Sequence, residues 1–295
     1  MLRESAARNI KPLLSDDAWQ ALRRLSPQAV RRDLEKARKQ VADAERSATE
    51  ANARARSAEQ RLQQSRAGAG DGLTALAKQF GTDKWGSWHH YTPHYARHLG
   101  HLRDERFTLL EIGIGGYARE KQGGASLRMW RSYFPKAQIL GLDIEDKSFV
   151  DTDRIRTYQG SQTDEQLLNQ IVDDADDLKV IIDDGSHRCE HIRATFDILY
   201  PLLPDDGIYA IEDLQTSYWP RFGGSADVNA TFTSMALVKS FLDDLNWEEF
   251  TPVDREPSYV QSHLIALHAY HNLVFLEKGE NNEKSVNGRR DPAKP

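Results

Sequence analysis

The run L-L-E-I-G-I-G-G, residues 109–116, joins an apolar, strand-like segment to a glycine-rich turn. It predicts a strand over residues 107–114, followed by a turn whose backbone can approach a ligand closely. Beyond this run, strand-like and helix-like segments alternate as far as residue 278. The alternation predicts an α/β fold with a doubly wound, mostly parallel sheet.

The other elements are predicted from apolar periodicity and turn signals. Strands are expected over residues 138–144, 154–158, 178–183 and 207–211, and a late hairpin-like pair over 264–268 and 273–278. Helices are expected over residues 126–134, 164–173, 188–199 and 232–245. The second of these helices is predicted to open with a capping box formed by Thr163 and Gln166.

Composition and targeting signals favour a cytoplasmic protein. Of the 295 residues, 39% are apolar and 28% are charged, which is typical of a soluble chain. No apolar run approaches the roughly 20 residues of a transmembrane helix, and the N-terminus lacks the apolar core of a signal peptide. Cys189 is the only cysteine, which excludes an internal disulfide and fits a reducing compartment.

The first 70 residues differ from the remainder in charge and pattern. They hold 15 Lys and Arg against 9 Asp and Glu, a net charge of +6, whereas the remainder holds 24 against 36, a net charge of −12. Apolar and alanine residues recur at alternating spacings of four and three from Val30 to Leu62. We interpret residues 1–70 as a helical arm with a heptad coiled coil over about 28–66, which predicts a homo-oligomer.

Two alternatives stay open for this arm. It could be a single solvated helix, or its basic surface could contact an anionic surface such as a membrane. A glycine-rich break at residues 67–72 separates it from a catalytic domain predicted over 73–278, and residues 279–295 are predicted to be a disordered tail. No nucleic-acid partner and no transmembrane segment are expected.

Two apolar segments end abruptly in carboxylates. The first is V-I-I-D-D-G-S-H, residues 180–187, and the second is I-Y-A-I-E-D, residues 208–213. If the two strands are parallel neighbours, Asp184, Glu212 and Asp213 gather at one edge of the sheet, where they could bind Mg²⁺ or Mn²⁺. Because adjacent side chains diverge, Asp183 is assigned to support or to cofactor contact. His187 is the predicted general base, since its ordinary pKa is close to neutrality.

The glycine-rich turn predicts a nucleotide-like cofactor. Asp143, at the end of the second strand, could accept hydrogen bonds from ribose hydroxyls, and the polar turn at residues 159–162 could bind adenine. This pattern is shared by dinucleotide-binding and S-adenosylmethionine (SAM)-binding folds. Glu111, just before Gly113, would repel a pyrophosphate but is compatible with a cationic sulfonium. SAM is therefore favoured, and a nucleotide-dependent oxidoreductase is the alternative.

A histidine-rich stretch precedes the first strand. His94, His98 and His101 follow helical spacing and could ligate zinc, but packing or substrate contact is the favoured interpretation. The nearby aromatic residues Trp88 and Tyr91 could stack on sugar rings or fill the core.

Motifs in order along residues 78–280 resemble the SAM- and Mg²⁺-dependent macrolide sugar O-methyltransferase family. The resemblance rests on G-T-D-K-W (81–85), H-x-Y-T-P-H-Y (89–95), L-L-E-I-G-I-G-G-Y (109–117), G-G-A-S-L-R-M-W (123–130), G-L-D-I-x-D-K (141–147), Q-G-S-Q (159–162), I-D-D-G-S-H (182–187) and I-E-D-L-Q-T-S-Y-W (211–219). It implies a class I methyltransferase sheet. It also implies metal ligation by Asp184, Glu212 and Asp213, with His187 as the base. The residues that match the family's cofactor region are Glu111, Gly113, Ser126, Asp143, Gln159, Ser161 and Gln162.

We therefore expect metal-dependent methyl transfer from SAM to a hydroxyl of a sugar residue. The acceptor would be a glycan, a glycolipid or a glycosylated natural product. The N-terminal arm matches nothing in that family and would suit an enzyme acting on a large or surface-bound glycan. A non-catalytic coiled-coil scaffold that carries a degenerate domain is the remaining alternative.

Overall fold

The computed structural model describes residues 72–119, 121–249 and 256–285. The predicted arm with its heptad seam lies outside the described residues, as do most of the glycine-rich break and residues 286–295 of the predicted tail. None of the helices in these described ranges is long and apolar enough to cross a membrane.

Seven strands and seven α-helices form the described chain. The strands are β1 (Thr108–Ile112), β2 (Gln138–Asp143), β3 (Ile155–Gln159), β4 (Leu178–Asp183), β5 (Ile208–Ile211), β6 (Leu264–Tyr270) and β7 (Leu273–Lys278). The helices are α1 (residues 72–80), α2 (Thr92–Leu99), α3 (Ala125–Tyr133), α4 (Glu165–Asp173), α5 (Cys189–Leu202), α6 (Ser234–Leu245) and α7 (Tyr259–His263).

The strands form one sheet in the order β3-β2-β1-β4-β5-β7-β6. The first five strands pair in parallel, and β7 pairs antiparallel with both β5 and β6. The predicted mostly parallel sheet and the late hairpin are therefore confirmed. The strand order reverses at β1 and β4, so a crevice opens at their carboxyl ends, where ligands bind in such sheets.

Alternation along the strands divides the core between two faces of the sheet. Leu109 belongs to the layer beneath α1, α2 and α3, which also contains Tyr95 and Trp130. Its neighbour Leu110 belongs to the opposite layer, beneath α4, α5 and α6, with Phe196. Because both faces are covered, β1 and β5 are buried along their full length, as is β4 apart from Lys179.

The register brings the polar ends of the central strands together. Ile112 of β1 pairs with Asp183 of β4, and Asp183 pairs with Ile211 of β5. The next residue in each strand continues this alignment, because the amide of Asp184 donates to Ile112 and that of Glu212 donates to Asp183. The carboxylates that follow β4 and β5 therefore begin at the same level of the sheet.

The start of α4 differs from the sequence prediction. The N-cap of α4 is Asp164, whose carboxylate accepts from the Leu167 amide at 3.1 Å, so the predicted capping box at Thr163 is wrong. Thr163 does not fill that role because its hydroxyl lies 2.9 Å from the Ser161 hydroxyl. Hydrogen bonding also continues past residue 278, since the Asn281 amide donates to the carbonyls of Leu245 and Gln261.

Candidate active site

Three of the predicted site residues converge at the carboxyl ends of β4 and β5. One donor atom from each of Asp184, His187 and Asp213 lies within 4.8 Å of the other two. His187 Nε2 is 3.7 Å from Asp213 Oδ2. Two carboxylates and an imidazole at this spacing could surround one divalent cation or act on one bound oxygen.

The fourth predicted residue, Glu212, faces the protein interior. Its side chain is buried, and its Oε1 accepts from Lys84 Nζ at 2.7 Å and from the Tyr95 hydroxyl. Glu212 is therefore adjacent to the converging group but is anchored to residues of the N-terminal part of the domain.

Lys84 is the cation at the centre of this interior cluster. Its side chain is fully buried, and Nζ lies 2.7 Å from Asp184 Oδ2 and 3.1 Å from Glu111 Oε1. Burial alone would lower the pKa of Lys84, but Asp184, Glu212 and Glu111 outweigh it and raise the pKa well above its ordinary value. The neighbouring acids therefore favour the ammonium form of Lys84.

Lys84 lies within the motif G-T-D-K-W (81–85), and the sequence alone indicates no role for it. Its partners Asp184 and Glu212 are 100 and 128 residues away along the chain, so no local pattern connects them. The available signal was a lysine between polar and aromatic residues just before the histidine-rich stretch.

The positive charge of Lys84 does not fully compensate the negative charge of these acids. Burial raises the pKa of Asp184 to about 7, against the opposing effects of Lys84 and His187. Burial and the neighbouring Asp184 also raise the pKa of Glu212 well above its ordinary value. A divalent cation beside these groups would supply the missing charge, so the donor set fits a hard metal ion.

Asp213 is oriented by residues of the histidine-rich stretch. The Tyr91 hydroxyl donates to Asp213 Oδ1 at 2.9 Å, and His89 Nε2 lies 3.4 Å from the same oxygen. These contacts leave Oδ2 on the side of His187. Tyr91 therefore acts as an orienting residue in the core rather than as an exposed stacking surface.

Two residues of this site have strained backbone conformations. His187 and Asp213 have φ angles of 56° and 54°, in the left-handed region that non-glycine residues seldom occupy. Each such residue costs on the order of 1 kcal/mol or more and persists where the surrounding structure imposes it. The fold thus holds both side chains in place at an energetic cost, as functional sites often do.

A cavity of about 1000 Å³ connects this group with the glycine-rich turn. Of the predicted residues, those that line it are Gly113, Ser126, Asp143, Ser161, Gln162, Asp184, His187 and Asp213. Glu111, Gln159, Asp183 and Glu212 are absent from this lining in the described chain. The cavity is large enough to hold a nucleoside-sized cofactor beside an acceptor group.

The turn after β1 is shaped by close backbone contact. A Cβ atom on Gly113 would lie 2.0 Å from the carbonyl oxygen of Asp184, so no larger residue fits there without a shift of the main chain. The Asp143 carboxylate accepts from the amides of Ile114 and Glu145, both at 2.9 Å. Asp143 therefore fixes the turn, and it also lines the cavity.

Glu111 takes part in the framework of the cavity rather than in its wall. It accepts from the Ser126 hydroxyl at 2.6 Å and from Trp130 Nε1 at 3.2 Å, in addition to Lys84. Because its charge is compensated within the protein, Glu111 holds Ser126 at the edge of the cavity.

Gln162 and Asp183 form a second supporting pair. The Gln162 amide donates to Asp183 Oδ1 at 3.1 Å, and its carbonyl oxygen accepts from the Ser186 amide at 2.7 Å. Burial raises the pKa of Asp183 to about 6. This pair anchors the loop that carries Asp184 and His187. Gln159 is exposed and makes one long contact, 3.4 Å, to the carbonyl of Ile144.

His94, His98 and His101 do not form a three-histidine site. The His94 ring stacks on Tyr270 at 3.7 Å, and His98 stacks on Phe275 at 4.4 Å. Both rings therefore pack against aromatic residues of the β6–β7 hairpin, in line with the interpretation favoured from the sequence. Trp88 is 83% exposed, and Cys189 is buried 3.6 Å from the Ser234 hydroxyl.

Comparison with known proteins gives close relatives, although no family model matches the chain. It is 45% identical over 216 residues to mycinamicin VI 2''-O-methyltransferase of Micromonospora griseorubida. This match covers 72% of this chain and 54% of the relative. It is 47% identical over 219 residues to demethylmacrocin O-methyltransferase of Streptomyces fradiae, covering 73% and 55%. The chain thus spans about half the length of the curated relatives it matches.

A solved structure shows the same fold. The methyltransferase MycE from the mycinamycin biosynthetic pathway, in complex with Mg and SAH, matches with a TM-score of 0.71 and 45% identity. The match covers 72% of this chain and 56% of that chain. The described domain therefore has a Rossmann-like, class I methyltransferase fold. That other protein has also been solved with Mg, SAH and mycinamycin VI, with a TM-score of 0.70 to this chain.

Proposed function

We propose that this chain methylates a hydroxyl group of a sugar residue. It is a homologue, at 44–47% identity, of O-methyltransferases named for mycinamicin VI, demethylmacrocin and a rhamnosyl tetracenomycin-C. The observation that carries the proposal is one cavity that joins the turn at Gly113 and Asp143 to the group formed by Asp184, His187 and Asp213. A cofactor and an acceptor could meet there.

We assign SAM and Mg²⁺ as the cofactors. Bound SAM supplies an electrophilic methyl group, and a bound Mg²⁺ orients and polarises the acceptor oxygen. Asp143 is placed to accept hydrogen bonds from ribose hydroxyls, while Gly113 and Ser126 border the same part of the cavity. Gln162 and Asp183 act from behind, by holding the loop after β4.

We assign Asp184, Asp213 and Glu212 as ligands of the metal ion. Asp184 and Asp213 already face one another. Since Oε1 of Glu212 accepts from both Lys84 and Tyr95, its second oxygen, Oε2, is the one that we assign to the ion. All-oxygen donors favour Mg²⁺ or Mn²⁺ over zinc.

His187 is the proposed general base. It lines the cavity, and its Nε2 would accept the proton of the acceptor hydroxyl. The Asp213 carboxylate, 3.7 Å away, would stabilise the imidazolium that forms. The deprotonated oxygen would take the methyl group from bound SAM, which would leave as S-adenosylhomocysteine. The positioning and electrostatics of the fixed residues would supply most of the rate acceleration.

The acceptor class is a glycan, a glycolipid or a glycosylated natural product. One relative is named as acting on mycinamicin VI, and another is named as an 8-demethyl-8-(2-methoxy-alpha-L-rhamnosyl)-tetracenomycin-C 3'-O-methyltransferase of Streptomyces olivaceus. Phe222 lines the cavity, and the ring centroids of Trp219 and Phe222 are 6.0 Å apart. Such rings suit stacking on a sugar or on its apolar carrier.

The test is an assay of the full chain with SAM against a panel of glycosylated acceptors, read by mass spectrometry. We expect a mass gain of one methylene group per acceptor, abolished by excess EDTA and restored by Mg²⁺. Activity that persists in EDTA would contradict the metal requirement. If NAD(P)H raised the melting temperature and S-adenosylhomocysteine did not, the rival oxidoreductase assignment would replace this one.

We further propose that the predicted coiled coil, residues 28–66, assembles the chain into a homo-oligomer in the cytoplasm. The heptad pattern supports the assembly. The single, buried cysteine supports the reducing compartment. Light scattering on the full chain and on a deletion of residues 1–70 would test the assembly, because only the full chain should have a multiple of the monomer mass.

A further inference from the structure

We propose that His98, His268 and Glu277 form a second metal site, a structural zinc site that clamps α2 to the β6–β7 edge of the sheet. One donor atom from each of the three lies within 4.8 Å of the other two. None of the three lines the cavity described above. The site is therefore separate from the proposed catalytic metal, and the inference is independent of the proposed function.

The distances fit a small tetrahedral ion. Glu277 Oε1 lies 2.9 Å from His268 Nε2 and 3.9 Å from His98 Nδ1. Zinc binds imidazole nitrogen and carboxylate oxygen at about 2.0–2.2 Å, which places tetrahedral donors roughly 3.3 Å apart. The two observed separations lie on either side of that value, so small side-chain rotations would close the site.

The donor types select the metal. Two imidazoles and one carboxylate suit Zn²⁺, whereas Mg²⁺ prefers oxygen donors throughout. His98 is buried, while His268 and Glu277 are each more than one-third exposed, so the ion could enter from solvent and complete its coordination with water. This contrasts with the carboxylate-rich group at Asp184 and Asp213.

A hydrogen bond behind His98 supports the assignment. Its Nε2 lies 2.9 Å from the Tyr270 hydroxyl, and the ring stacks on Phe275. If Nε2–H donates to Tyr270, Nδ1 presents its lone pair towards Glu277, which is the arrangement that a metal-bound histidine requires. The His98 and His268 rings are also held close together, with centroids 4.5 Å apart.

The clamp would stabilise the helix that organises the active site. His98 is on α2, and the same helix carries Tyr95, whose hydroxyl donates to Glu212. His268 and Glu277 belong to β6 and β7. Zinc binding would thus link α2 to the sheet edge and add to the stability of the folded state by mass action.

The test is a titration of the full chain with Zn²⁺ in competition with a chromophoric chelator, in excess Mg²⁺. We expect one Zn²⁺ per chain in the wild type, and loss of that binding in His268→Gln and in Glu277→Gln. His271→Gln, the same change in the β6–β7 turn, is the matched control and should bind normally. Tyr270→Phe keeps the ring but removes the hydroxyl, and should weaken binding about 10- to 100-fold.

Thermal unfolding gives a second readout on folded protein. Zn²⁺ should raise the melting temperature of the wild type and of His271→Gln, but not that of His268→Gln or Glu277→Gln. The proposal would be overturned if the wild type did not bind zinc, or if His268→Gln and Glu277→Gln both bound zinc as tightly as the wild type.

Discussion

Lys84 Nζ lies 2.7 Å from Asp184 Oδ2, although the two residues are 100 positions apart in the sequence. This ion pair joins the loop before the histidine-rich stretch to the end of β4. The ion pair holds the Oδ2 atom of Asp184, a proposed metal ligand, while Asp184 still lines the cavity. A fixed, buried cation next to the acids therefore keeps them together before any ligand binds.

Replacing Lys84 with methionine should strongly destabilise the protein. The change preserves volume but leaves the buried Glu111 and Glu212, and the partly exposed Asp184, without their ammonium ion. Breaking a buried ion pair in this way costs about 3–5 kcal/mol. Urea denaturation in EDTA would measure the loss. Lys136→Met, on the exposed surface, is the control, and a loss below about 1 kcal/mol at Lys84 would refute the structural role.

Replacing His187 with glutamine should slow methyl transfer while preserving cofactor binding. Loss of a general base lowers the rate by about 10²–10⁴-fold. Single-turnover kinetics would measure the rate, and calorimetry would measure the affinity for S-adenosylhomocysteine. His263→Gln in α7 is the control. A variant that bound the cofactor normally and kept the wild-type rate would show that His187 is not the base.

Asp183 should make the metal-free protein less stable as the pH rises. Its folded-state pKa is raised from 3.8 to about 6, so the stabilising contribution is fully present below pH 3.8 and is lost as the pH rises through about 6. Asp183→Asn removes the ionisable group and should therefore exceed the wild type in stability at pH 8, by about 2–3 kcal/mol.

Urea denaturation from pH 4 to pH 8 would check this difference. The surface substitution Asp205→Asn is the control and should leave the pH profile of the wild type unchanged. If the free energies of unfolding of Asp183→Asn and of the wild type changed in parallel from pH 4 to pH 8, the Asp183 carboxyl would not be the cause of the pH dependence.

Gly113 and Gly115 form a matched pair for testing the turn after β1. Both have positive φ, 89° and 72°, so alanine at either site incurs similar backbone strain, about 1 kcal/mol. Only at Gly113 would the new Cβ also meet a main-chain carbonyl, whereas at Gly115 it would meet nothing within 4 Å. Gly113→Ala should therefore have a clearly lower melting temperature than Gly115→Ala in the absence of ligands. An equal decrease in melting temperature for the two variants would contradict the close contact at Gly113.

The sheet and the convergence of the site residues could be predicted because their signals are local. β4 and β5 are apolar runs that end in carboxylates, and parallel strands bring such ends to one edge. Asp184, His187 and Asp213 lie together there, whereas Glu212, which was predicted with them, is hydrogen-bonded to Lys84 and Tyr95. The cap at Asp164 was misassigned because Thr163 and Asp164 are both good N-cap residues and only the contact with Ser161 distinguishes them.

The partners of the buried charges could not be predicted, because they depend on packing between distant segments. Nothing local connects Lys84 with Glu212, or Tyr91 with Asp213. The same applies to Glu111, whose hydrogen bonds to Ser126 and Trp130 arise only when α3 packs on the sheet. His98 was considered with other histidines at helical spacing, but the fold places it beside His268 instead.

The most direct test of the metal-dependent mechanism is a crystal structure with Mn²⁺ and S-adenosylhomocysteine, with the ion located by anomalous scattering. We predict one ion bound by Asp184, Asp213 and Glu212, with the cofactor between Gly113 and Asp143 and its sulfur directed towards His187. Electron density for the cofactor with no anomalous peak between the two aspartates would contradict the account.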